Sequence, residues 1–240
     1  MSNIIQAFSD FFQSIYNAVV PQQRYLAYLE GAKNTIAISF LAILLGIGIG
    51  IIVAVAKFSA VNFKVKFLKR LVLFICNTYI TIIRGTPVML QLLIIYNLIF
   101  TSRYTNEILV AALCFGINSG AYVAEIIRAG IESIDRGQME AGRTLGLSHL
   151  KVMRLIIMPQ AIRNILPALG NEFIVLIKET SVAGAIAVTD ILKSAQYIGA
   201  GTWDILPPYY VAAAIYLIMV LGLTKLLAIF ERRLAKGDNH

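Results

Sequence analysis

The feature that most constrains this chain is a run of 23 residues, 34–56, without a charged side chain. A helix needs about 20 mostly apolar residues to cross the hydrocarbon core of a bilayer. Four further stretches approach that length, at 71–100, 108–127, 166–189 and 209–230. Hydrophobic residues make up 58% of the chain and charged residues 14%, whereas soluble domains average about 45–50% and about 25%. The sequence therefore predicts an all-α integral membrane protein with five transmembrane helices.

The positions of the cationic residues predict how these spans are oriented. If the loops at 57–70 and 128–163 share one side with the tail after residue 231, that side holds 14 Lys and Arg residues and the other side holds four. Cytoplasmic loops carry the excess of Lys and Arg, so we expect the N-terminus outside and the C-terminus in the cytoplasm. The same bias accounts for the net charge of +8, and no nucleic-acid partner is expected.

Residues 4–19 place apolar side chains at helical spacing and put Gln6, Asp10, Gln13 and Asn17 on the opposite face. This pattern is typical of an amphipathic helix that lies in the membrane interface rather than crossing the bilayer. We therefore divide the chain into an extracytoplasmic interfacial segment (1–30), a transmembrane domain (31–232) with a cytoplasmic loop at about 129–163, and a cytoplasmic tail (233–240).

The second apolar stretch is interrupted by Arg84, Gly85, Thr86 and Pro87. Proline removes one backbone donor and disfavours a helical conformation in the residue before it. We expect one long helix that enters from the basic side, kinks near Pro87 and ends near residue 100. A structural or gating role is predicted for Arg84 and Pro87 rather than contact with a substrate.

The longest polar segment is predicted to hold two short helices that meet at Gly146, because glycine permits the positive φ of a sharp junction. Ala141 and Gly142 present a small face that allows another surface to approach closely, and Glu140 adds one charge. Pro159 is expected to end the second helix before the chain re-enters the membrane. Such a hairpin has the form of a docking site on the inner face of a pore.

This segment resembles the signature of the membrane subunits of ABC importers, which reads Glu-Ala-Ala, three residues, Gly, nine residues, Ile-x-Leu-Pro. Here the pattern is Glu140-Ala141-Gly142, Gly146 and Ile156-x-Met158-Pro159, so Gly142 and Met158 depart from it. Four further segments resemble the polar amino acid subfamily of these proteins. They are Arg84-Gly85-Thr86-Pro87, residues 121–131, residues 133–138 and Lys178-Glu179-Thr180-Ser181. The likeness covers roughly residues 30–232.

The resemblance implies the transmembrane fold of a type I ABC importer and the import of a polar or charged amino acid by alternating access. Two membrane subunits, a second copy or a related chain, would pair in a prokaryotic inner membrane, and an extracytoplasmic binding protein would deliver the substrate. Each membrane subunit would dock one cytoplasmic ATPase through the residues Glu140, Ala141, Gly142, Gly146, Ile156 and Pro159.

No catalytic residue, cofactor or metal site is expected in this chain. It lacks the Gly-x-x-x-x-Gly-Lys-Ser/Thr loop that binds nucleotide phosphates. We therefore expect a permease subunit and not an enzyme, with ATP and Mg bound by the partner ATPase.

Ionisable residues inside a span are costly and often mark a transport pathway. Asn118 in the third span, and Lys178 and Glu179 near the middle of the fourth, are candidates to line the substrate pathway. The alternative is that Lys178 and Glu179 pair with other groups and hold helices together. Nearer the cytoplasmic end, a salt-bridge network or helix packing is predicted for Glu125, Arg128, Asn171 and Glu172.

A second hypothesis is an ion- or proton-coupled secondary amino acid carrier, in which Glu125, Lys178 and Glu179 form the coupling relay. Many secondary transporters contain an internal repeat, and none is found in this sequence. The missing repeat and the predicted docking hairpin favour the importer over the carrier.

Overall fold

The computed structural model describes residues 2–60, 63, 65–99 and 106–236. Every regular element in these residues is helical, which confirms the predicted all-α class. The α-helices are, in order, α1 (Ser2–Val19), α2 (Tyr25–Ala60), α3 (Lys66–Gly85), α4 (Val88–Ile99), α5 (Glu107–Glu132), α6 (Arg136–Thr144), α7 (His149–Val152), α8 (Met158–Glu179), α9 (Ile191–Thr202) and α10 (Leu206–Lys236). Short 3₁₀ segments lie at Pro21–Gln23 and Thr180–Ile186, and a π-helical turn lies at Met153–Ile157.

Helices α2 and α5 pack together along glycines that leave no room for a side chain. A Cβ on Gly46 would lie 2.9 Å from the Oγ of Ser119, and a Cβ on Gly50 would lie 2.4 Å from the Cγ1 of Val123. Small residues let helix backbones approach closely inside a membrane, where packing holds helices together. Because the contacting positions advance in the same direction along both helices, α2 and α5 run parallel.

Two helices, α3 and α4, lie between α2 and α5 in the described part of the chain. Helices α3 and α4 form a bent pair whose axes differ by 111°, so the predicted long helix with a kink near Pro87 is wrong. Helix α3 ends at Gly85, and Thr86 is extended, with φ −123° and ψ 148°. The proline is the physical reason, since it lacks an N–H and forces the preceding residue out of the helical region.

Helix α8 runs antiparallel to α5. Near the middle of both helices, the hydroxyl of Ser119 donates a hydrogen bond of 2.8 Å to Glu172. Near the start of α8, the amide of Asn164 donates to the hydroxyl of Ser133, which directly follows α5. The two contacts therefore advance in opposite directions along the two helices.

Helix α10 begins beside the start of α2, where the hydroxyl of Tyr28 donates to the carbonyl of Pro208 at 3.4 Å. Farther along, a Cβ on Gly170 of α8 would lie 2.4 Å from the Cδ1 of Leu227. By length and composition, the described residues contain four candidate spans, which lie in α2, α5, the segment His149–Ile186 and α10, and a fifth if the bent pair counts as one span.

Two apolar clusters hold the bundle together. The larger one joins α2, α4, α5, α8 and the 3₁₀ segment that follows α8, and it includes the fully buried side chains of Ile38, Phe115 and Leu176. The smaller one joins α2, α9 and α10 around Tyr28 and Ile191.

The fourth span differs from its predicted bounds of 166–189. Helix α8 begins at Met158 and ends at Glu179, so Lys178 and Glu179 lie at the end of the helix and not near its middle. The sequence from Thr180 to Ile186 continues as a 3₁₀ segment. A hydropathy pattern does not distinguish the two helix types, which explains the error.

Pro159 does not end a helix, contrary to the prediction. It occupies the first turn of α8, directly after the π-helical turn, in which the N–H of Met158 donates to the carbonyl of Met153. A proline cannot donate to the carbonyl four residues back, and its ring clashes with that carbonyl. The wider π turn accommodates the ring and lets the helix continue.

Helix α9 lies between the fourth and the fifth predicted span. Asp190 caps this helix, because its carboxylate accepts a hydrogen bond of 2.7 Å from the N–H of Lys193. The hydroxyl of Ser194 donates to the carbonyl of Ala27, which ties α9 to α2. An acidic residue directly before Ile191 was the sequence signal for this helix.

The predicted helix over 4–19 is present as α1. It packs against α10 through Phe11 and Tyr210, whose ring centroids lie 5.9 Å apart. Phe8 and Phe12 are exposed, as an interfacial helix requires. Its location in the membrane interface stays a prediction.

Candidate functional site: the α6–α7 hairpin and the polar layer of the bundle

The polar loop between α5 and α8 folds as a helical hairpin made of α6 and α7. Asp135 caps α6 by accepting a hydrogen bond of 2.6 Å from the N–H of Gly137. The junction lies at Gly146, which has a φ of +83°. The N–H of Leu147 closes the turn by donating to the carbonyl of Gly142 at 3.1 Å. The prediction of two short helices that meet at Gly146 is confirmed.

Gly142 is the buried position of the hairpin signature. A Cβ at this position would lie 2.7 Å from the Cγ2 and 2.9 Å from the Cγ1 of Val152. The backbone of α6 therefore lies directly against the side chain of α7. This contact explains why glycine stands where the importer signature has a second alanine: Val152 occupies the space that the methyl group would need.

The other signature residues lie on the outside of the hairpin or at its exit. Glu140, Ala141, Gly146 and Pro159 are exposed, and Ile156 is half-buried. The same part of the chain carries three exposed leucines that the sequence analysis did not identify, namely Leu145, Leu150 and Leu155. Leu145 is 81% exposed and Leu150 is 72% exposed. An apolar patch rimmed by polar residues marks an interaction surface.

The hairpin also touches the first span. The imidazole of His149 in α7 stacks on the ring of Phe58 near the end of α2, with 6.1 Å between the ring centroids. The hairpin is therefore connected to the bundle by this contact as well as by the chain on either side of it.

An ion cluster joins the end of α3 to the end of α5. The guanidinium of Arg128 forms ion pairs with Glu125 and Glu132, and Arg84 lies 3.9 Å from the carboxylate of Glu125. The guanidinium of Arg84 also lies 5.3 Å from the ring centroid of Tyr122. This is the salt-bridge network predicted for Glu125 and Arg128, and it now includes Arg84. Ion pairs this exposed contribute about 0–1 kcal/mol each.

Asn118 is held by a residue that the sequence analysis missed. Its buried amide donates to the Oε1 of Gln91 at 2.8 Å. The Nε2 of Gln91 donates in turn to the hydroxyl of Thr86 and to the carbonyl of Ile83, both at 2.7 Å. Gln91 thus satisfies backbone groups that the break at Pro87 leaves open, and it fixes Asn118 beside the bend.

A second polar contact lies in the same layer. Glu172 is buried and accepts its hydrogen bond from Ser119, the neighbour of Asn118, while Asn171 is exposed. Glu172 therefore packs between helices, as predicted. Lys178 is exposed and Glu179 is half-buried. Among the described residues, no hydrogen bond or ion pair joins either of them to Asn118, so the structure does not bring the three pathway candidates together.

A helical bundle with several candidate membrane spans, a polar layer in its middle and a hairpin at one end is typical of a membrane transporter subunit. Residues 46–236 match the family described as "Binding-protein-dependent transport system inner membrane component". The chain belongs to this family. It is a permease component of an ABC transport system and not an enzyme, and ATP hydrolysis is carried out by separate subunits. This membership gives no support to the secondary carrier.

Two curated relatives and one solved structure are similar over most of the chain. The arginine transport system permease protein ArtQ of Bacillus subtilis (strain 168) is 36% identical, over 93% of this chain and 98% of ArtQ. The L-cystine transport system permease protein TcyB of the same organism is 40% identical, over 89% of both chains. A chain from the crystal structure of an amino acid ABC transporter with histidines is 42% identical, with a TM-score of 0.79, over 87% of this chain and 94% of that chain.

Proposed function

We propose that this chain forms part of the pathway through which an ATP-driven importer moves a polar or charged amino acid into the cell. The substrate class is supported by similar proteins whose names specify arginine and cystine, and by a structure that contains histidines. Two states that open to opposite sides would alternate, and partners would shift the balance by binding one state more tightly.

The observation that carries this proposal is the α6–α7 hairpin with its exposed leucines. Glu140, Ala141 and Gly146 would contact the cytoplasmic ATPase together with Leu145 and Leu150. Gly142 would act indirectly, by holding α6 against α7. Ile156 and Pro159 would connect the hairpin to α8 through the π-helical turn. ATP and Mg would bind to the ATPase and not to this chain.

The excess of Lys and Arg in the loops at 57–70 and 128–163 supports an orientation in which the hairpin and the end of α10 would lie in the cytoplasm. An extracytoplasmic binding protein would then dock at the end of the bundle where α1 and α9 lie. A second membrane subunit, identical or related, would cover α10. The most apolar stretch of 18 residues in this helix has no residue buried by the rest of the chain. The segment 1–30 would lie in the outer interface and residues 233–240 in the cytoplasm.

The polar residues of the bundle take different roles in this proposal. Lys178 and Glu179, at the end of α8, would line the outer part of the pathway. Asn118 would contribute to it from the layer that Gln91 fixes. Structural or gating roles would fall to the remaining candidates Arg84, Pro87, Glu125, Arg128, Asn171 and Glu172.

The test is uptake by proteoliposomes that contain this chain, its co-purified ATPase and binding protein, and internal ATP. Labelled arginine, cystine and histidine are offered in turn, with a protonophore as the control for a carrier mechanism. We expect uptake that needs ATP and resists the protonophore. The Gly146→Pro variant should insert normally but lose uptake, because proline holds φ near −65° and Gly146 requires +83°. Uptake without ATP, or normal uptake by this variant, contradicts the proposal.

A further inference from the structure

A cavity of about 340 Å³ lies between α4, α9 and the 3₁₀ segment that follows α8. Its volume falls within the range of about 300–1,000 Å³ that is typical of small-molecule sites. The polar side chains that line it are Ser181, Lys193 and Gln196. The cavity lies outside the polar layer of Asn118 and Glu172, at the end of the bundle where α2 begins.

Lys193 is the one cation among the residues that line this cavity. Its aliphatic stem packs beside Gly184, where an added Cβ would lie 3.3 Å from the Cδ of the lysine. Its ammonium lies 5.3 Å from the ring centroid of Tyr197. Within the described part of the chain, Lys193 forms no ion pair with a carboxylate. The aromatic ring and the small neighbour thus support the ammonium and leave its hydrogen-bonding capacity for a ligand.

The nearest carboxylate in the sequence, that of Asp190, is already engaged elsewhere. One of its oxygens accepts from the backbone N–H of Lys193 at 2.7 Å, and the other accepts from the hydroxyl of Tyr216 at 3.2 Å. The side chain is fully buried. Burial raises the pKa of the Asp190 carboxyl, which is the opposite of what a paired ammonium would produce. Asp190 therefore positions α9 and does not neutralise the ammonium of Lys193.

We propose that the ammonium of Lys193 binds the α-carboxylate of an amino acid that enters the permease from the outer side. Ser181 and Gln196 add a hydroxyl and an amide that hydrogen-bond the same ligand. Glu179 directly precedes the 3₁₀ segment and lies two residues before Ser181 in the chain. The cavity thus offers a cation for the carboxylate of the ligand.

This inference rests on the proposed function, and the ligands chosen for the test separate the two. The purified transport complex is placed in nanodiscs without its binding protein. Equilibrium binding is measured for L-arginine, L-cystine or L-histidine, whichever the wild-type complex takes up, and for the matching carboxamide. The variants are Lys193→Met and Lys193→Arg. Lys33→Met is the matched control, because Lys33 is an exposed cation at the same end of the bundle that does not line the cavity.

We expect Lys193→Met to weaken binding of the amino acid about ten- to a hundred-fold. This factor corresponds to the loss of one hydrogen bond between charged groups. Binding of the carboxamide should stay within about two-fold, because it offers no carboxylate. Lys193→Arg should keep most of the affinity, and Lys33→Met should change neither ligand.

Two results overturn the inference, provided that the wild-type complex still takes up the amino acid. In the first, Lys193→Met weakens the binding of both ligands equally. In the second, Lys193→Met changes the binding of neither ligand, as expected for Lys33→Met. In that case the proposed function stands. Failure of the wild-type complex to take up or bind any of the three amino acids overturns both.

Discussion

The clearest test of the hairpin geometry is the substitution Gly142→Ala. The added methyl group would lie 2.7 Å from one methyl carbon of Val152 and 2.9 Å from the other. A valine side chain has no flexible end that can swing away, so α6 and α7 must separate. Overpacking of this kind costs about 1–3 kcal/mol, and at about 1.4 kcal/mol per factor of ten the hairpin should open roughly 5- to 150-fold more often.

The assay is amide hydrogen exchange of residues 136–157 in nanodiscs, which reports local opening without any partner. Gly142→Ala should accelerate exchange of the amides of Leu147 and Val152 by that factor. Adding Val152→Ala removes both clashing methyl groups and should restore most of the protection. Gly201→Ala is the control, because a Cβ there meets no atom within 4 Å.

Unchanged exchange in Gly142→Ala would refute the reasoning, because it would mean that α7 is not held against α6. Failure of Val152→Ala to restore protection would show that the loss came from some other contact. Rapid exchange in the control Gly201→Ala, measured at the same residues, would point to general destabilisation of the bundle.

Three further predictions concern the bundle itself. Gln91→Leu leaves the buried amide of Asn118 without its hydrogen-bond acceptor and should lower the free energy of unfolding by about 1–3 kcal/mol. In a double-mutant cycle with Asn118→Ala, the changes in unfolding temperature should not add. Gly50→Ala should lower the unfolding temperature through a similar overpacking cost of about 1–3 kcal/mol, whereas Gly48→Ala should not, since its Cβ meets no atom within 4 Å. Because burial raises the pKa of Asp190, the folded state holds this proton more tightly than the unfolded chain. Stability should therefore fall as the pH rises from the ordinary aspartate range, about 3.9, through the raised value. Asp190→Asn should make that slope shallower in melts followed by circular dichroism. A slope as steep as that of the wild type contradicts the assignment.

Several features of the fold were predictable because they depend on local chemistry. Residues 34–56 contain no charged side chain, so this segment can cross the hydrocarbon core without the cost of burying a charge. The amphipathic spacing over 4–19 predicts a helix, and glycine at 146 predicts the hairpin junction. In each case the residues that decide the structure lie within one or two turns of each other.

The candidate site was predictable only in part. The hairpin signature locates the docking loop, but Leu145 and Leu150 are ordinary leucines until the fold shows that nothing in the described chain covers them. In the sequence, Gln91 is only a polar residue in an apolar stretch. Its role becomes visible in the fold, where the bend at Pro87 places it beside Asn118. Lys193 was one of four cations on the outer side, and only α9 turns it toward a cavity.

The sequence by itself determined that this chain is a helical membrane protein, where its apolar segments lie, and that a polar hairpin interrupts them. Hydrophobic length, charge and glycine geometry act over short distances, so a linear pattern records them. The tertiary structure decided the 111° break between α3 and α4, the parallel packing of α2 on α5, and the partners of Asn118, Glu172 and Asp190. Those features depend on contacts between residues far apart in the chain, whose distances are set only when the helices pack.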